Sequence, residues 1–167
     1  MSSKQTRKII IISLVVLIGI QFIRPSRRVP RVDPNSGFIA LTATPPEMAK
    51  LIKTACYDCH SYETKYPWYA NVAPVSWWMS NNIHEARKHL NFSEWGMYPN
   101  KKRVHKLEEA GEEVSEGNMP IPNYTWMHAD ARLTDEQRKS LVAYFQEMKN
   151  ATGSIPTMPS SNPNAPQ

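Results

Sequence analysis

Cys56-Tyr57-Asp58-Cys59-His60 decides how the chain is read. It is a C-x-x-C-H motif built from the only two cysteines among 167 residues. In this arrangement each thiol adds across one vinyl group of a haem, giving two thioether bonds, and the histidine becomes an axial ligand of the iron. The spacing follows from helix geometry: one turn brings both sulfurs to one porphyrin edge and swings the imidazole beneath the metal. Cys56, Cys59 and His60 are therefore the expected attachment and ligand residues for one covalently bound haem c. Two other readings use the same residues. A dithiol redox pair calls for alternating strands and helices, which the pattern lacks. A zinc site needs four ligands, and histidines would have to stand in for the missing second cysteine pair.

Working outward, the formal charge of +5 is unevenly distributed. Residues 1–31 hold seven lysines and arginines and no acid, whereas the rest carries 13 basic and 15 acidic side chains. The basicity belongs to an N-terminal segment of membrane or targeting type. No basic motif interleaved with aromatics follows, so nucleic acid is not an expected partner. Ile9 to Ile23 is a nearly unbroken apolar run of 15 residues. At ~1.5 Å per residue it covers about 22 Å, short of a ~30 Å hydrocarbon core. A secretory h-region has this length, but Arg24-Pro25-Ser26-Arg27-Arg28 follows with no small-x-small cleavage site. Residues 1–23 are read as an uncleaved signal anchor, with cleavage as the alternative. Residues 24–43, with three prolines and four arginines, are read as an extended tether.

Residues 44–149 carry the domain. A helix starts near Thr44-Pro45-Pro46-Glu47, where Thr44 and Glu47 match a capping box, and Met48, Leu51, Ile52 and Ala55 form its apolar face. Residues 61–78 are dense in tyrosine and tryptophan, suited to wall a flat apolar cofactor from water. Pro67 or Pro74 is a candidate to offer a carbonyl to the second ring nitrogen of His60. Further helices are expected from about Pro74 to His89, from Asn100 to Glu116 and from Thr134, where Thr134-Asp135-Glu136-Gln137 is a capping box and Leu141, Tyr144, Phe145 and Met148 form one face. The third of these four helices has lysine and arginine at its start and glutamates at its end, a solvated face or an acidic dock for a basic redox partner. Gly117-Asn118-Met119-Pro120-Ile121-Pro122 is a stiff loop presenting Met119, a soft thioether suited to the sixth position on the iron. The other candidates for that position are Met79, Met97, Met127, His84, His89, His105 and His128. The Tyr124–His128 stretch is expected near a propionate edge. Residues 150–167 are expected to be a disordered tail.

The order of amphipathic helix, C-x-x-C-H, middle helices, Met-Pro loop and terminal helix resembles a class I mono-haem c-type cytochrome. More narrowly, residues about 44–149 resemble the small bacterial haem-binding domain family of the Bacteroidetes type. The carrying segments are Cys56–Ser61, Tyr66-Pro67-Trp68-Tyr69, Ala73–Trp77, Leu90–Trp95 and Gly117-Asn118-Met119-Pro120. The resemblance implies an all-α bundle of about four helices around one haem, with its first and last helices crossing. It also implies haem attachment on the outer face of a bacterial inner membrane. Four basic residues follow the apolar run and three precede it, so the positive-inside rule alone would leave the domain in the cytoplasm. The haem motif is given precedence, which places residues 33–167 in the periplasm. The function expected is electron transfer at an iron held by His60 and Met119, with a redox partner protein. The alternative is a haem-based sensor or peroxidase-like enzyme with an open sixth position, recruiting His84, His89 or His128.

Overall fold

A run of isoleucine, leucine and valine without proline, and with glycine only at its last position, carries the first helix, α1, from Ser3 to Gly19, and none of its residues is buried. A 3-10 turn over Ile20–Phe22 continues it. The helical stretch Ser3–Phe22 therefore has 20 residues, and its most apolar 18-residue window has a mean hydropathy of 1.6. At ~1.5 Å per residue it reaches about 30 Å, the length beyond the apolar run coming from the polar and basic residues Ser3–Lys8 that precede it. A membrane span and a signal sequence both meet this description. The computed structural model describes residues 3–152, so most of the expected tail lies outside the described residues. Asn150 and Ala151 are still helical.

The segment read as a tether is only partly extended. Asp33 caps a 3-10 turn over Pro34–Ser36 by accepting from the Asn35 amide at 2.9 Å, and α2 follows over Phe38–Leu41. Phe38 is completely buried. Its ring lies 4.9 Å from Trp95 in an edge-on arrangement, 5.1 Å from Phe92, and 6.3 Å from both Tyr144 and Phe145. One aromatic in a four-residue helix shows no periodicity, and three prolines around it look like a linker.

The remaining elements are α3 (Pro46–Ala55), α4 (Tyr57–His60), α5 (Val75–His89), α6 (Asn100–Ser115), α7 (Pro122–Met127) and α8 (Asp135–Ala151). Among the described residues there is no strand, and α3, α5, α6 and α8 are the four long helices that follow α1. Thr134 forms its capping box with Gln137 as its sequence requires. Thr44 does not cap α3, whose N-cap is Pro45. Its buried hydroxyl instead accepts from the Tyr144 phenol at 3.0 Å, joining the start of α3 to α8.

The last helix packs principally on α6 and meets α3 more lightly. Arg138, near the start of α8, donates to the Val114 carbonyl near the end of α6. Lys149, near the end of α8, pairs with Glu108 in mid-α6 at 3.1 Å. The two helices therefore run antiparallel, with Leu107, Val114, Leu141 and Phe145 in the core between them. Arg103, expected among the surface charges of α6, is fully buried. Its guanidinium donates to the carbonyls of Trp95 at 3.1 Å and Gly96 at 3.0 Å, closing the 3-10 turn Phe92–Met97 onto α6.

Phe38→Ala is expected to destabilise the domain by about 3–5 kcal/mol, as for a large aromatic removed from a packed core. Urea denaturation followed by circular dichroism measures this. A loss under about 1 kcal/mol, the range of surface substitutions, would return Phe38 to the tether.

Candidate functional site

Helix α3 ends at Ala55, and the backbone of Cys56 departs from helical geometry. One new turn then forms: the Cys56 carbonyl accepts from the amides of Cys59 at 3.2 Å and His60 at 2.9 Å. Tyr57 anchors this turn, its ring buried and stacked on Phe92 at 5.4 Å and 18°. With Tyr57 turned to the core, the side chains at 56, 59 and 60 share the opposite side. All three line one cleft of about 1040 Å³.

The same cleft is lined by Met119. Gly117, at φ +81, ends α6 in the left-handed region that favours glycine. The chain then doubles back, so that the Met119 amide donates to the Glu113 carbonyl at 3.1 Å and the Met119 carbonyl accepts from Arg138 at 3.3 Å. Four expected site residues, separated by 63 positions in sequence, thus face one space. Of the alternative sixth-position residues, only His89 also lines it. His84, His105 and Met127 are exposed, and His128 stacks on Tyr124 at 4.1 Å.

The carbonyl facing His60 comes from Leu90, 3.0 Å from its Nδ1, and not from Pro67 or Pro74. A carbonyl only accepts, so Nδ1 carries the proton and Nε2 keeps its lone pair. Burial lowers the His60 pKa, with the Leu90 carbonyl partly opposing, so the ring is neutral at neutral pH. This tautomer is the one a metal ion requires. A main-chain carbonyl at a helix C-terminus has no sequence signature of its own, which is why proline positions drew attention instead.

Asp58, between the two cysteines, fixes the turn from outside. Its carboxylate accepts from the Tyr124 phenol at 2.8 Å and from the Lys65 amide at 2.9 Å. Burial and the adjacent Asp58 carboxylate raise the Tyr124 pKa, keeping it a donor. Arg87 donates to the Ser61 carbonyl and to the Thr64 hydroxyl, each at 2.8 Å, pinning the chain that leaves the motif.

The cleft walls are apolar, with Leu90, Phe92, Val114, Ile121 and Phe145, and its rim is acidic, with Glu85, Glu109, Glu112 and Glu113. Tyr124 and the largely exposed Trp126 line the cleft, and of the 61–78 aromatics only Trp78 does. Tyr62 instead donates to Glu94, and Trp68 is 76 % exposed.

A volume at the upper end of the ~300–1,000 Å³ of cofactor sites, apolar walls, two thiols, a neutral imidazole and a thioether all fit a haem. They do not fit a reactive dithiol. Burial, with a smaller contribution from Cys59, pushes the Cys56 thiol up to about 12. Burial and then Asp58 push the Cys59 thiol up to about 11. Redox dithiols are activated by lowered values.

A family model described as a haem-binding domain matches residues 15–147. The chain belongs to this haem-binding domain family. No curated protein and no solved structure matches it. Membership establishes haem binding for the domain, and the matched span takes in the whole cleft together with residues 15–19 at the end of α1.

Because the thiols stay protonated through neutral pH, apoprotein prepared without haem insertion is expected to react slowly with iodoacetamide at pH 8. Alkylation should climb about tenfold per pH unit with the thiolate fraction and level off only near pH 11 to 12, where the thiols ionise. Rapid alkylation at pH 7 would instead support a dithiol redox pair.

Proposed function

We propose that this chain is a membrane-tethered periplasmic electron-transfer protein carrying one haem c. In this reading Cys56 and Cys59 would hold the haem through thioether bonds, and His60 and Met119 would be the ligands of its iron. The convergence of those four side chains on one cleft, with Nδ1 of His60 held by the Leu90 carbonyl, is the observation that carries the reading. When bound, haem supplies one-electron exchange at its iron.

The residues around it supply the rest. The Leu90 carbonyl keeps the imidazole in the ligating tautomer and raises its basicity. Leu90, Phe92, Val114 and Phe145 exclude water. Met119 belongs to a loop tethered by Glu113 and Arg138, so its thioether is presented with little reorganisation. His89 is the weaker candidate for the sixth position. It adjoins Leu90, whose carbonyl holds His60, and so comes from the segment that orients the first ligand. The reading of α1 as a membrane anchor rests on its length and composition, and the periplasmic side on the compartment where haem c is attached.

Replacing both cysteines with alanine is expected to leave the pigment extractable by acidified organic solvent. Pigment that still stays with the polypeptide would sink covalent attachment. Met119→Ala is expected to lower the reduction potential by on the order of 100 mV, within the ~0.8 V that axial ligands span. It should also abolish the weak near-infrared sulfur-to-iron band of the oxidised protein and admit cyanide or imidazole. An unaltered spectrum would move the sixth ligand to His89.

A further inference from the structure

A second, smaller cleft of about 250 Å³ lies where the N-terminal segment meets the 70–76 region, and its contacts are specific. Gln21 donates through Nε2 to the Ala73 carbonyl at 3.1 Å and accepts from the Ala73 amide at 2.9 Å, pairing with both polar groups of one residue. The Trp77 indole donates to the Ile23 carbonyl at 2.7 Å. Arg27 donates to the Ala70 carbonyl, and its guanidinium lies 4.2 Å over the Tyr66 ring. The domain is therefore fastened to the end of α1 and does not swing from it. These contacts reach only the final turn: no residue of Ser3–Gly19 is buried, whereas Ile20 and Gln21 are partly covered.

At that same level the domain exposes apolar side chains. Trp68 is 76 %, Val72 43 % and Val75 39 % exposed, beside Phe22 at 84 % and Ile23 at 63 %. Val72 and Val75 flank the Ala73-Pro74 pair whose Ala73 is held by Gln21, Trp77 lies two residues beyond Val75, and Trp68 lies two residues before Ala70. Arg24, Arg27 and Arg28 follow directly in the chain. Tryptophan at the apolar–polar boundary with arginines beside it is the composition of a bilayer interface.

We propose that Trp68, Val72 and Val75, continuous with Phe22 and Ile23, form a surface that seats in the anionic phospholipid headgroup layer of the bilayer crossed by α1. This rests on the reading of α1 as a membrane span. The haem cleft begins at Trp78, within one helical turn of Val75 on α5. Seating this surface therefore sets the cleft at a fixed height and orientation above the lipid.

The test uses full-length, haem-loaded protein in vesicles of phosphatidylethanolamine and phosphatidylglycerol containing a phospholipid with a photoactivatable diazirine near its headgroup. Lipid adducts are then mapped by mass spectrometry. Adducts are expected on residues 66–76 as well as on α1. In the double variant Gln21→Ala/Arg27→Ala, those on 66–76 should fall to background while those on α1 and the visible spectrum stay unchanged. Adducts on α1 with none on 66–76 in the parent would overturn the lipid-seating surface and leave the span intact; a protein partner would then be the occupant of that face. No adducts on α1 would refute the span and the inference together.

Discussion

The hydrogen bond from His60 Nδ1 to the Leu90 carbonyl is the constraint on which the site depends. It joins the end of the attachment turn to the end of α5, two elements that Arg87 also ties and that meet one aromatic core through Tyr57 and Leu90. Tyr57 stacks on Phe92 from the motif side, and Phe92 lies two residues beyond Leu90. One cluster therefore positions both partners of the bond. Rotating the turn by a single residue would send Tyr57 into the cleft and His60 into the core. It would also strand the imidazole among rings that cannot accept its proton.

That cluster has an unexpected centre. Phe38 precedes the motif by 18 residues and comes from a segment whose prolines and arginines suggest a spacer. It fills the space between the 92–97 turn and α8. Arg103 then clamps that turn from the other side through two carbonyls. A lysine would not substitute there, since its point charge lacks the planar fork that reaches both acceptors. The structured domain thus begins at Asp33 and not at residue 44.

What could be read in the sequence follows from the range of the forces involved. The capping box at Thr134 is local, and it forms as written. The apolar faces of α3 and α8 are periodic, and Ile52, Leu141, Tyr144 and Phe145 are buried accordingly. The gathering of Cys56, Cys59, His60 and Met119 on one cleft was foreseeable from residue chemistry. Thr44 was misassigned because its hydroxyl has two possible uses, a local amide or a distant phenol, and only the folded chain decides. The aromatic stretch 61–78 was misread for a similar reason: a tryptophan that packs a cofactor and one that bonds a carbonyl of the N-terminal segment are spelled alike. The Leu90 carbonyl, being backbone, left no mark at all.

The bond between the Tyr124 phenol and Asp58 spans 66 residues and bridges the two sides of the cleft. Asp58 sits inside the attachment turn, and Tyr124 lies five residues past Met119 on the opposing segment. It acts as a strap across the cleft mouth. Any excursion that carries the methionine segment far outward must first withdraw that phenol and expose a carboxylate that had been partly sheltered. The two halves of the site thus breathe as a latched pair, and the latch is worth roughly the 1.5–3 kcal/mol of a hydrogen bond to a charged group.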